Sequence, residues 1–177
     1  MSDESVQMGG GASLARGQPP LKHRPMAEEE ILHRIEEYLR ANIPLTAAMG
    51  VSVRAATAEH VLLCAPLRPN INHHETVFGG SAAVLATLAA WTLLHLRLEQ
   101  AQVPAQLVIQ RSSMEYEKPI LGDFEAECAF TDGAAWQRFR GTLERRGRAR
   151  LTLTAWLLHE RQKMASFSGD FVALRSQ

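Results

Sequence analysis

The chain has 177 residues, 46% of them hydrophobic and 21% charged. That is the profile of one globular domain with a tail, not of two domains. Its 19 basic and 19 acidic side chains cancel, which argues against a general nucleic-acid partner and favours self-association. Its two cysteines exclude a disulfide-dense secreted scaffold and a Cys-based zinc domain, and fit a reducing, cytoplasmic compartment.

Residues 1–26 carry early acids and no apolar run of signal-peptide length. They read as a flexible leader, closed by Pro19, Pro20 and Pro25, ahead of a single domain over 27–177. Residues 27–41 place Ile31, Ile35, Tyr38 and Leu39 on one helical face, with Glu28, Glu29 and Glu30 at the start and Arg40 at the end. Pro44 stops that helix. Two strand patterns follow, around Val51 and Val53 and around Val61, Leu63 and Ala65, and then a polar loop from Asn70 to His74.

From Thr76 to Leu96 no Asp, Glu, Lys or Arg occurs. The stretch is long enough to cross a membrane. It opens on Gly79-Gly80-Ser81, however, and is richer in Ala than in Leu, Ile or Phe. It therefore reads as a helix over about 79–98, buried by its own protein and not a membrane span.

After Pro104 the period returns to two. One face of 105–117 holds Val108, Gln110, Ser112, Met114 and Tyr116. Residues 124–130, 148–158 and 163–174 continue as strands, the clearest with Ala149, Leu151, Leu153, Ala155 and Leu157 pointing inward. An all-apolar helix flanked by strands on both sides in sequence is most simply buried by a curved antiparallel sheet, an α+β arrangement without βαβ alternation.

Most of the chemistry is concentrated from Asn72 to Ser81. Gly79 and Gly80 permit close approach to the backbone. The first amides of the helix have no intrahelical acceptor and can hold an anion or a developing oxyanion. Asn72 suits the positioning of water or substrate, and His73, His74 and Glu75 are general-base candidates. His73-His74-Glu75 lacks a nearby third ligand, so no metal is expected. Cys64 and Cys128 fall in strand patterns and read as buried thiols, and Trp91 and Trp136 as core or interface. Residues 138–150 carry six arginines against Glu144. They read either as a solvated hairpin turning at Arg146-Gly147 or as an anion site for coenzyme A phosphates or an acyl carrier.

The stretches 43–51 (IPLTAAMGV), 65–73 (APLRPNINH), 78–81 (FGGS), 109–119 (IQRSSMEYEKP) and the ending FSGDFVAL, with Tyr116, Pro119, Gly122 and Asp123 spaced Y-x-x-P-x-x-G-D, resemble hotdog-fold acyl-CoA thioesterases. The resemblance spans about 30–174. More closely, the chain resembles the thioesterase domain found at the C-terminus of YiiD-type acetyltransferases and also as stand-alone proteins. The resemblance implies a hotdog fold, no cofactor, hydrolysis of an acyl-CoA or acyl-carrier thioester, and a homodimer or larger dimer-based oligomer with sites between protomers. In related enzymes an Asn precedes the first Gly of the pair by seven residues, as Asn72 precedes Gly79, and the Gly amides polarise the thioester carbonyl. Those enzymes carry His where this chain has Phe78, and an acid where it has Thr87. Asn72, His73, Glu75, Gly79, Gly80 and Thr87 are therefore the expected catalytic positions. Phe78, Ser81, Gln110, Ser112 and Tyr116 are the expected substrate-binding ones. The polar row Gln110, Ser112, Tyr116 reads as pocket lining or as a satisfied strand face. The missing helix acid keeps a non-catalytic acyl-CoA or acyl-carrier binding module as the alternative function.

Overall fold

The computed structural model describes residues 28–175; the expected leader lies outside them. Helix α1 (Glu28–Asn42) and the short α2 (Pro44–Ala48) lead into β1 (Ser52–Ala56) and β2 (His60–Ala65). A 3₁₀ turn (Arg68–Asn70) and a loop precede α3 (Gly79–Gln100). Then come β3 (Ala105–Tyr116), β4 (Phe124–Ala129), α4 (Gly133–Arg146), β5 (Arg148–His159) and β6 (Gln162–Arg175). The strands form one antiparallel sheet in the order β1-β2-β4-β5-β6-β3. This is the α+β arrangement the sequence predicts.

Helix α3 packs against all six strands. Its composition explains how. Ala86, Ala89 and Ala90 are fully buried and let strands approach the helix axis, while Leu85, Leu93 and Leu94 fill the space between. Burying each of those leucines contributes about 1.5–3 kcal/mol. The helix is long and apolar enough to cross a membrane, yet 61% of its most apolar window is buried inside this protein. Its half-buried positions include Gly80, Val84, Thr87, Trp91 and His95. At three- and four-residue spacing they form one stripe. The distal end of that stripe is covered from α1, where Tyr38 stacks on both Trp91 and His95.

Two features depart from the sequence reading. The arginine-rich stretch is not a hairpin: residues 133–146 form α4. Asp132 caps its start by accepting from the amides of Ala134 (2.9 Å) and Ala135 (3.0 Å). Gly147 ends it in the left-handed region at φ 68°, where a residue without Cβ is favoured. Trp136, Phe139 and Leu143 supply the buried stripe. Arg97 of α3 lies 5.0 Å from the Phe130 ring and 5.2 Å from the Trp136 ring, tying the two helices together. Because α4 intervenes, β4 and β5 pair only from Glu125–Cys128 to Ala155–Leu158. The preceding part of β5, Arg148–Thr154, has β6 as its single strand neighbour, and α4 packs on β5.

The second departure is a bulge in β3. Ile109 opposes Phe171, but Arg111 opposes Asp170, so Gln110 is an extra residue. An extra residue reverses which side chains face the core. Before it, Leu107 and Ile109 share the face of Ala173 and Phe171; after it, Ser112, Met114 and Tyr116 share the face of Gly169, Phe167 and Ala165. The single face of Val108, Gln110, Ser112, Met114 and Tyr116 expected from strict alternation is therefore broken at Gln110.

Candidate active site

The loop before α3 is built around two asparagines. Asn70 is buried (2% exposed), and its side-chain amide donates to the carbonyls of Met49 (2.9 Å) and Pro66 (2.8 Å). Its own carbonyl accepts from the amide of Phe78 at 2.7 Å. One residue thus joins α2, the end of β2 and the entry to α3. Its Oδ1 is buried without a hydrogen-bond partner among the described residues. The sequence points to Asn72, which stands seven residues before Gly79, and marks Asn70 only by its place directly after Pro69.

Asn72 organises the loop itself. Its Oδ1 accepts from the amides of His74 (2.8 Å) and Thr76 (3.3 Å), and its Nδ2 donates to the Thr76 hydroxyl (3.0 Å). Glu75 takes a positive φ of 59° at the tip. His73, His74 and Glu75 are exposed, with the two imidazole rings 3.8 Å apart between centroids. Among the described residues, no hydrogen bond joins His73 or Glu75 to the start of α3.

Helix α3 begins with no side-chain cap. Ala82 is the first residue whose amide reaches back, to the carbonyl of Phe78 at 3.1 Å, so the amides of Gly79, Gly80 and Ser81 have no protein acceptor among the described residues. Both glycines are in close quarters. A Cβ on Gly79 would stand 3.3 Å from the Tyr116 hydroxyl, and one on Gly80 would stand 2.3 Å from the Phe78 ring. The fold brings Tyr116 to this point from 37 residues away, and its hydroxyl donates to the Gly79 carbonyl at 2.8 Å. Partial burial raises the pKa of that phenol above its ordinary 10. A cavity of about 340 Å³ adjoins the pair, lined by Val77, Gly79, Ala82, Tyr116, Pro119 and Ile120, with Glu117 and Lys118 also on its wall. The amide of Val77 donates to the carbonyl of Ile120 at 2.9 Å, closing that side.

The predicted residues therefore divide. Phe78, Gly79, Gly80, Ser81 and Tyr116 come together at the helix start. Ser112 lies on the same face of β3 as Tyr116 and is exposed. Thr87 is two turns into the helix, half-buried, its hydroxyl donating to the carbonyl of Ala83 at 2.8 Å. Gln110 leaves the group altogether, carried away by the bulge. The two thiols lie elsewhere: Cys64 is half-buried beside Ser52 and Arg54, and Cys128 is buried, its pKa pushed up to about 12 chiefly by that burial. Unpartnered amides, a phenolic hydroxyl and a mostly apolar cavity of this size can hold a small acyl group with its carbonyl oxygen on the helix start.

The fold recurs in solved structures. A protein of unknown function from Chlorobaculum tepidum superposes with a TM-score of 0.77 at 25% identity, covering 84% of this chain and 97% of its own. A "putative thioesterase from Shewanella oneidensis" gives 0.73 at 26% identity, over 82% and 99%. A Pseudomonas aeruginosa protein described as "Probable Thioesterase" shares the fold at 0.72 and 18% identity, over 88% and 100%. Residues 32–175 match the family described as "Putative thioesterase (yiiD_Cterm)". With nearly all of the described fold inside that match, the chain belongs to the YiiD C-terminal thioesterase family and has its hotdog architecture.

Proposed function

We propose that the protein is a thioesterase acting on an acyl-CoA or acyl-carrier thioester in the cytoplasm. The observation that carries this reading is the uncapped start of α3 beside the Tyr116 cavity. The Gly79 and Gly80 amides receive the carbonyl oxygen, and charge developing there in the tetrahedral intermediate strengthens those bonds. Water adds to the carbonyl carbon and loses its proton to His73 or Glu75. The carbon–sulfur bond then breaks, and the thiolate leaves with a proton to give acid and thiol. Asn72 holds the loop that carries both bases. Phe78 and Ser81 flank the carbonyl, and Ser112 and Tyr116 line the acyl side.

Strand β3 supports a homodimer as the working unit. It is the last strand of the sheet, 12 residues long, with Val108, Ile109 and Tyr116 exposed. A long open edge of this kind is normally covered, and pairing with a second copy satisfies its backbone. Thr87 and the half-buried stripe of α3 would then face the junction between protomers.

Thiol release across a series of acyl-CoA chain lengths tests the reading. Turnover that falls at least tenfold in the His73→Ala/Glu75→Gln double variant supports it. Turnover indifferent to both changes removes these bases from the mechanism. A second reading, an acyl-CoA or acyl-carrier binding module, draws on the engagement of Thr87 with Ala83 and the exposure of His73 and Glu75. Saturable binding without turnover in the same assay selects it.

A further inference from the structure

Four of the six arginines at 138–150 line a single slot. Two adjoining cavities of about 330 and 410 Å³ run between α4 and the singly paired part of β5, sharing Thr142, Ala149 and Arg150. Arg138 and Arg146 reach this slot from α4, Arg148 and Arg150 from β5. Gln110, displaced from the α3 side by the bulge, lines the second cavity, and Val172 and Leu151 supply apolar wall. Acidic compensation is slight. Asp132 stands 3.6 Å from Arg138, Glu144 is paired with Arg140, and Asp170 accepts from Thr152 at 2.7 Å. Among the described residues, Arg146, Arg148 and Arg150 form no ion pair.

From this arrangement we infer that the slot between α4 and β5 binds the phosphate-bearing part of a nucleotide. All four cations are arginines. Guanidinium forks match phosphate oxygens in pairs, which ammonium groups do not. They line an open depression of small-ligand size, with amide, hydroxyl and apolar surface beside the charge for a sugar and base. The slot also relates to the site: Gln110 and Tyr116 are six positions apart on β3, roughly 20 Å at about 3.3 Å per residue. The nucleotide is therefore either the adenosine bisphosphate end of coenzyme A, reaching the site of this protomer or of a second copy, or a free nucleotide bound on its own account. The binding claim stands apart from the thioesterase reading; assignment to coenzyme A rests on it.

Calorimetric titration of the full chain with adenosine 3′,5′-bisphosphate tests the binding. Saturable binding that weakens at least tenfold in Arg148→Gln/Arg150→Gln, and independently in Arg138→Gln/Arg146→Gln, is the expected result. These side chains are exposed, so both variants should keep the wild-type melting curve. No saturable binding by the wild type, variants that bind as it does, or binding confined to an acidic carrier protein overturns the inference. The source is read from kinetics with one acyl group on two thiols. A KM that rises tenfold for acyl-CoA and stays fixed for the N-acetylcysteamine thioester assigns the slot to the coenzyme. Lost bisphosphate binding with both KM values unchanged assigns it to a free nucleotide. If neither thioester turns over, the proposed function fails, and the titration still decides the slot.

Discussion

The hydroxyl of Tyr116, at the end of an edge strand, donates to the carbonyl of Gly79 at the first position of the central helix, across 2.8 Å. The bond fixes the helix start against β3 and holds one wall of the 340 Å³ cavity. Tyr116→Phe removes one hydrogen bond, normally about 0.5–1.5 kcal/mol. For a thioesterase that positions its carbonyl here, kcat/KM should fall about 2- to 10-fold, with a melting temperature lower by about 1–6 °C. An unchanged kcat/KM would show that the bond does not set the reacting geometry.

The two loop asparagines should separate in a denaturation experiment. Asn70→Ala leaves the carbonyls of Met49 and Pro66 without their donor in a buried setting, at a cost of about 2–4 kcal/mol. Asn72→Ala breaks bonds within a largely exposed loop and should cost about 1 kcal/mol or less. Equal losses in urea unfolding would contradict the roles assigned to them.

Acid should weaken the α1–α3 contact in two steps. His95 lies against Tyr38 and Trp91, with Glu99 and Arg34 as its charged neighbours. Burial outweighs the attraction of Glu99 and holds the His95 pKa below its ordinary 6.5. A base with a depressed folded pKa binds more protons when unfolded, so its stability contribution is complete above 6.5 and is lost as pH falls below it. Glu99 is depressed below 4.5, chiefly by its hydrogen bond to Arg34, and loses its contribution further down. Chemical denaturation between pH 7 and 5 should show falling stability, and His95→Gln should flatten that slope. A variant with the wild-type slope would remove His95 as the cause.

Helix α4 offers a paired glycine test. Gly147 has open space around it but a φ of 68°, so Gly147→Ala should cost about 1 kcal/mol through backbone strain alone. Gly133 also has open space, and its φ is not positive; there alanine should be neutral or stabilise by up to about 1 kcal/mol. Opposite signs in thermal melts support the cap assignment, and equal effects oppose it.

Residue periodicity predicted some parts of this structure well and others not at all. Helix α3 and strands β5 and β6 fall within two residues of their expected ends, because an unbroken apolar run and strict alternation are local properties. Helix α4 was hidden: Trp136, Phe139 and Leu143 keep helical spacing, but Asp132-Gly133 and Arg146-Gly147 both resemble turns and the arginines obscure the apolar stripe. The bulge had no local signature, since an extra residue is defined only against Phe171 and Asp170 on the partner strand. At the candidate site, the glycine pair and its flanking residues were readable because their chemistry lies in consecutive positions. The role of Asn70 was not, because it depends on carbonyls from two other elements.

The extra residue at Gln110 makes β3 two half-strands in opposite phase. Leu107 and Ile109 before it, and Ser112, Met114 and Tyr116 after it, all lie opposite one unbroken face of β6, from Ala173 to Ala165. Positions on that face are therefore odd-numbered before the bulge and even-numbered after it. Deleting Gln110 would restore plain alternation and leave Leu107, Ile109, Ser112, Met114 and Tyr116 in one register on that same face.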